Sequence, residues 1–148
     1  MAKYDVVIIG SGPGGYVAAI RAGGMPAIVS GAIERWLTPK FIAQSPEVVA
    51  WVRRMILDTP PQGYIACCEA IRDADLTAQA SRVLAPTLII SGTHDPATPP
   101  AQGRSLASMI RGARYLELDA SHLSNIEAAS QFTSALREFL SGAAVPAG

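Results

Sequence analysis

Apolar and polar positions alternate along this chain in two different rhythms. Residues 4–9 (YDVVII) are a short apolar, β-branched run that ends at a glycine-rich turn, GSGPGG. Such a run, bounded by turn residues, predicts a buried parallel strand, and YVAAIRA after it predicts a helix. Apolar residues then recur at Met25, Ile28, Val29, Ala32, Ile33, Trp36 and Leu37, which is helical spacing that Pro39 ends. In SPEVVAWVRRMIL (45–57), Ser45 stands in the N-cap position, Pro46 at the first helical position and Glu47 in the first turn. PPQGYIACCEAIRDAD (60–75) predicts a further helix after a proline break.

The rhythm changes near residue 86. A second β-branched run, Thr87–Ser91, leads into a loop rich in Gly, Pro and Asp. AQGRSLASMI predicts a helix, Tyr115–Leu118 a third strand, and EAASQFTSALREFL (127–140) a closing amphipathic helix. Residues 142–148 read as a flexible tail. Strands alternating with helices predict an α/β chain with a small, mainly parallel sheet of about three strands. Beyond the helix that follows the glycine-rich turn, three inserted helices are expected before the second strand.

Composition narrows the function classes. Of the 148 residues, 49% are hydrophobic and 16% charged, which argues for a buried core and against disorder. Twelve basic and twelve acidic side chains balance, so charge gives nucleic acid no foothold. No apolar run approaches the length of a membrane span, and the N-terminus lacks a secretory pattern. Cys67 and Cys68 are adjacent, a spacing that suits neither a disulfide nor a zinc or redox pair. Free thiols fit a cytoplasmic protein. No metal site is expected.

The first chemical motif is the turn itself. Gly10, Gly12 and Gly15 match GxGxxG between a predicted strand and a predicted helix. In that setting the glycines allow the tight turn, the approach of backbone to a pyrophosphate and close helix packing, while the helix N-terminus faces the phosphates. YDVVIIGSGPGGYVAAIRA closely resembles the first FAD-binding segment of dihydrolipoamide dehydrogenases and related flavin disulfide oxidoreductases. This resemblance covers residues 3–22 and implies a Rossmann-type strand–turn–helix that could hold FAD. Glu34 lies nineteen residues past Gly15, near where that family places a ribose ligand, but it falls within a helical pattern and reads as a solvated helix residue. That family's redox cysteine pair is absent from these residues, so dehydrogenase chemistry is not expected.

The second motif is SGTHDPATPP followed by DASHLSNIE. Asp95 follows a strand in a loop held by Pro96, Pro99 and Pro100, and His122 follows the next strand 27 residues on. Strand, Asp loop, helix, strand and His loop resemble the closing part of an α/β-hydrolase. There the acid orients the imidazole and the imidazole activates a nucleophile. From RAGGM (21–25) to Leu140 the chain also resembles the C-terminal half of 3-oxoadipate enol-lactonases. The words that carry this are RAGGM, GYIACCEAIRDADL, APTLIISGTHDPATPP, GARYLELDASHLSNIE and FTSALREFL. The resemblance implies a helical cap over about 25–75, Asp95 as triad acid and His122 as general base. It places Arg35 and Trp36 in the cap, where either could meet a substrate carboxylate. It also implies a small lactone or ester substrate and no cofactor. His94 reads as a loop residue.

The family's nucleophile elbow, GxSxG, does not occur in the sequence. Ser11 sits in a strand–turn–helix, but the elbow register needs glycines where Ile9 and Pro13 stand, so Ser11 is not expected to attack. The expectation is a partial α/β-hydrolase that keeps acid and base without the serine, and is therefore inactive. Its segments would be a Rossmann-like unit (1–22), a cap-like helical segment (23–80), a C-terminal hydrolase segment (81–141) and the tail. The two resemblances meet at Arg21–Gly23, as in a chimera. A sheet this small is expected to leave apolar surface exposed and to favour self-association.

Overall fold

The computed structural model describes residues 13–142. The predicted strand at 4–9, Gly10, Ser11 and Gly12 of the turn, and residues 143–148 of the tail lie outside the described residues. The chain divides into two compact units, one ending at Ala74 and the other running on from Asp75.

The first unit is helical. It contains α1 (Pro13–Gly23), α2 (Pro26–Trp36), α3 (Pro39–Gln44), α4 (Pro46–Asp58) and α5 (Pro61–Asp73). Each begins at a proline, whose fixed φ suits the first helical position and whose missing N–H costs nothing there. Between α1 and α2 the backbone turns through Gly24 at φ +67°, a left-handed conformation that glycine adopts without strain. The apolar stripe read from the sequence is the buried face of α2: Ile28, Val29, Ala32 and Ile33 are buried. Val17 and Ile20 of α1 and Val52 and Ile56 of α4 are buried in the same unit. α1 packs on α2 and α5, and α2 packs on α4.

Two details differ from the sequence reading. Pro39 not only ends the α2 pattern but also starts α3, because Thr38 caps it by accepting a hydrogen bond from the Phe41 N–H at 3.2 Å. Ser45 does occupy the position before α4, but its side chain makes no capping bond to that helix, so Pro46 and Glu47 carry the start.

The second unit is an α/β segment: α6 (Thr77–Ala80), β1 (Leu88–Gly92), α7 (Pro100–Met109), β2 (Arg114–Leu118), α8 (Ser124–Glu127) and α9 (Ala129–Leu140). β1 and β2 are parallel, in register from Leu88 opposite Arg114 to Gly92 opposite Leu118, with α7 as the crossover. α7 packs on both strands, and Arg104 on it pairs with Glu117 of β2. Leu118, Ala120 and Ala128 form a buried cluster, with Ile90, Leu116 and Phe132 against it. The helix expected over 127–140 is broken at Ala128, whose φ of −115° and ψ of 42° separate α8 from α9. Among the described residues the sheet has these two strands. No described helix is long and apolar enough to cross a membrane.

Candidate active site

The register of the sheet puts two loops at one end. Gly92 and Leu118 are partners at the carboxyl ends of β1 and β2, so the loops that follow leave side by side. In α/β sheets that edge is where sites are built. The loops are then tied together through the backbone. The Thr93 N–H donates to the Leu118 carbonyl at 2.8 Å and the His94 N–H to the Ala120 carbonyl at 3.0 Å. The approach is close enough to exclude any side chain at Gly92, where a Cβ would collide with the Ala120 and Ser121 carbonyl oxygens. Glu127 of α8 accepts from the Ser121 N–H at 2.9 Å and so braces the second loop beside His122.

These ties bring Asp95 and His122 together. Asp95 is buried and its carboxylate is gripped on both oxygens. Oδ1 accepts from the Ala97 N–H at 2.7 Å and the Thr98 N–H at 3.1 Å, an Asx-type turn. Oδ2 accepts from the Thr98 hydroxyl at 2.5 Å and lies 2.8 Å from His122 Nδ1. Burial of Asp95 opposes ionisation, but the bonds from Thr98 and His122 outweigh it and hold the carboxyl below its ordinary range. An ionised carboxylate only accepts, so Nδ1 is the donor to Asp95, and in the neutral imidazole that leaves the lone pair on Nε2. Nε2 is then the atom that can take a proton from a hydroxyl, with Asp95 stabilising the imidazolium that results.

A second His–Asp pair lies on the same loops. His94 Nε2 is 2.7 Å from Asp119 Oδ1, but the side chains are 54% and 84% exposed, against 20% for His122 and 5% for Asp95. Solvent screens such a pair, which fits the reading of His94 as a loop residue.

The remaining predicted residues fall in the helical unit or outside the described residues. Arg35 and Trp36 are on α2 in the helical unit, where the Arg35 guanidinium lies 4.6 Å from the Tyr16 ring centroid and its Nε donates to the Gly31 carbonyl. Glu34 is exposed on the same helix. Tyr16 meets Tyr64 edge to face, and burial pushes the Tyr64 phenol up to about 12. Gly15 falls in the first turn of α1, whereas Gly10 and Gly12 lie outside the described residues. Among the described residues no group of His, Cys, Asp and Glu is placed to hold a metal ion. Sequence reasoning missed Thr98. Its only signal was its place three residues after Asp95, where an Asx turn puts a hydroxyl within reach of the carboxylate.

A family model described as TAP-like protein matches residues 62–148. The chain is 38% identical over 117 residues to 3-oxoadipate enol-lactonase 2 of Acinetobacter baylyi, covering 79% of this chain and 44% of that protein. It is 42% identical over 111 residues to pyrrolizixenacetamide deacetylase of Xenorhabdus hominickii, covering 74% and 42%. The crystal structure of an enol-lactonase from Burkholderia xenovorans LB400 superposes with a TM-score of 0.83 at 46% identity, covering 84% of this chain and 48% of that one. The chain therefore spans less than half the length of these relatives. With its parallel β1–α7–β2 unit and the family match over its C-terminal part, the chain belongs to the α/β-hydrolases, in the family of TAP-like proteins.

Proposed function

We propose that this chain carries the acid and base of an acyl-transfer site, Asp95 and His122, and acts on small lactones or esters only when a nucleophile is supplied from outside its 148 residues. The observation that carries the reading is the part-buried 2.8 Å contact between Asp95 Oδ2 and His122 Nδ1 on adjacent strand-end loops. The similarity to a lactonase and to a deacetylase supports acyl transfer, in which an imidazole base serves either leaving group. Similarity to the lactonase supports reading residues 23–80 as a cap-like segment, with Arg35 or Trp36 as a candidate partner for a substrate carboxylate. The reaction needs no cofactor, because every step is a proton or acyl transfer between side chains and substrate. The sequence contains no GxSxG, so by itself the chain does not turn over substrate.

The test is labelling with a fluorophosphonate, which reacts with activated serines. Intact mass should show no adduct. A stoichiometric adduct that disappears in His122→Ala would overturn the claim that the nucleophile is missing.

The same reading treats residues 3–22 as a dinucleotide-binding unit joined to the hydrolase part near Arg21–Gly23. α1 begins at Pro13, within the glycine-rich stretch, so that Gly15 falls in its first turn. Gly10, Gly12 and Gly15 would then give a weak site for the FAD diphosphate. It predicts adenine-nucleotide binding that is lost in Gly12→Val, and equal binding by both proteins would remove it.

A further inference from the structure

We propose that Thr98 is the positioning residue of this dyad: its hydroxyl holds the Asp95 carboxylate against His122 and shares the oxygen that faces the imidazole. The proposal rests on the reading of Asp95 and His122 as acid and base.

Thr98 holds Asp95 twice, through its backbone N–H on Oδ1 at 3.1 Å and through its hydroxyl on Oδ2 at 2.5 Å. A carboxylate held on both oxygens by one residue cannot rotate away from its partner. The same hydroxyl lies 3.3 Å from His122 Nδ1. A hydroxyl has one proton, and the shorter contact takes it to Asp95, so a lone pair is what faces the ring. The Nδ1–H is therefore aimed between two acceptors, Asp95 Oδ2 at 2.8 Å and Thr98 Oγ1 at 3.3 Å. That fixes both the tautomer and the plane of the ring. Prolines at 96, 99 and 100 restrict the backbone around it.

A second consequence concerns strength. Thr98 and His122 compete for Oδ2. Charge that Asp95 gives to the hydroxyl is not available to an imidazolium, so Thr98 moderates the basicity of His122. Loss of the hydroxyl removes the donor that competes with His122 for Oδ2 and makes the imidazole a stronger base. The other titratable groups on the two loops and α8 are His94, Asp119 and Glu127, and none of them changes in the variants below.

The experiment is an NMR titration of the two histidines, with the His122 signals assigned by their loss in His122→Ala. Thr98→Val keeps the branched shape and removes the hydroxyl. It should raise the His122 midpoint, and Thr98→Ser should restore the wild-type value. In the unmodified chain the Thr98 hydroxyl proton should be visible in slow exchange, with a cross-peak to the His122 ring. An unchanged midpoint in folded Thr98→Val, a failure of Thr98→Ser to restore it, or a hydroxyl in fast exchange with water would each overturn the proposal. Asp95→Asn separates this from the dyad itself. If Asp95→Asn lowers the His122 midpoint while Thr98→Val leaves it alone, only the role of Thr98 fails. If Asp95→Asn also leaves it alone, the dyad reading fails with it.

Discussion

Asp95 and His122 stand 27 residues apart in sequence and 2.8 Å apart in the fold, because the ends of β1 and β2 are register partners and their loops share backbone hydrogen bonds. The pair is thus a product of the parallel sheet. Whatever loosens the strand ends loosens the dyad.

The pair also makes stability depend on pH. Folding holds the Asp95 carboxyl below its unfolded value of about 3.9. The native state therefore binds this proton less readily than the unfolded one. The stabilisation is fully present above the ordinary aspartate range and is lost as pH falls through the depressed native value. Urea midpoints measured from neutral pH downward should fall in that window. Asp95→Asn should lower the midpoint at pH 7 and flatten part of the acid dependence. An identical acid profile in Asp95→Asn would show that the carboxylate gains nothing from its partners.

Gly92 is the point where the two loops come nearest. A methyl group there meets two backbone carbonyls, which cannot swing aside as a side chain would. Gly92→Ala should cost about 2 kcal/mol and should shift the Asp95 and His122 loop resonances together. Unaltered stability in urea would mean that the loops approach less closely than described.

The adjacent cysteines should behave as opposites. Cys67 is exposed and Cys68 buried, and burial, with Cys67 and Glu69 beside it, raises the Cys68 thiol. The thiolate is the reactive form, so a disulfide reagent should modify Cys67 quickly and Cys68 only on unfolding. Cys67→Ser should remove the fast phase. Two fast phases in the native chain would show that α5 opens readily.

Much of this was legible in the sequence, for local reasons. The β-branched run Thr87–Ser91 and the Gly-Pro-Asp loop after it marked a strand and a strand-end loop without reference to anything distant. Pro46 announced a helix start, and the prolines at 60 and 61 a break before the next helix, because their constraint is covalent. What escaped was set by tertiary contact. The short α3 depends on the Thr38 cap, and the break at Ala128 is invisible in an amphipathic pattern that runs smoothly through it. Thr98 escaped because a hydroxyl carries no periodic signal; only the folded turn shows that it reaches the carboxylate. The exposed His94–Asp119 pair shows the converse problem, since residue type alone cannot separate a screened surface pair from a buried one.

The central claim is that acid and base are assembled here without a serine to activate. Hydrolysis of p-nitrophenyl acetate by the purified chain, beside His122→Ala and Ser11→Ala, tests it most directly. The account predicts a rate indistinguishable from the two variants and close to that of buffer. Turnover lost in both variants would contradict it, and would mean that the glycine-rich turn at residues 10–15 supplies the nucleophile.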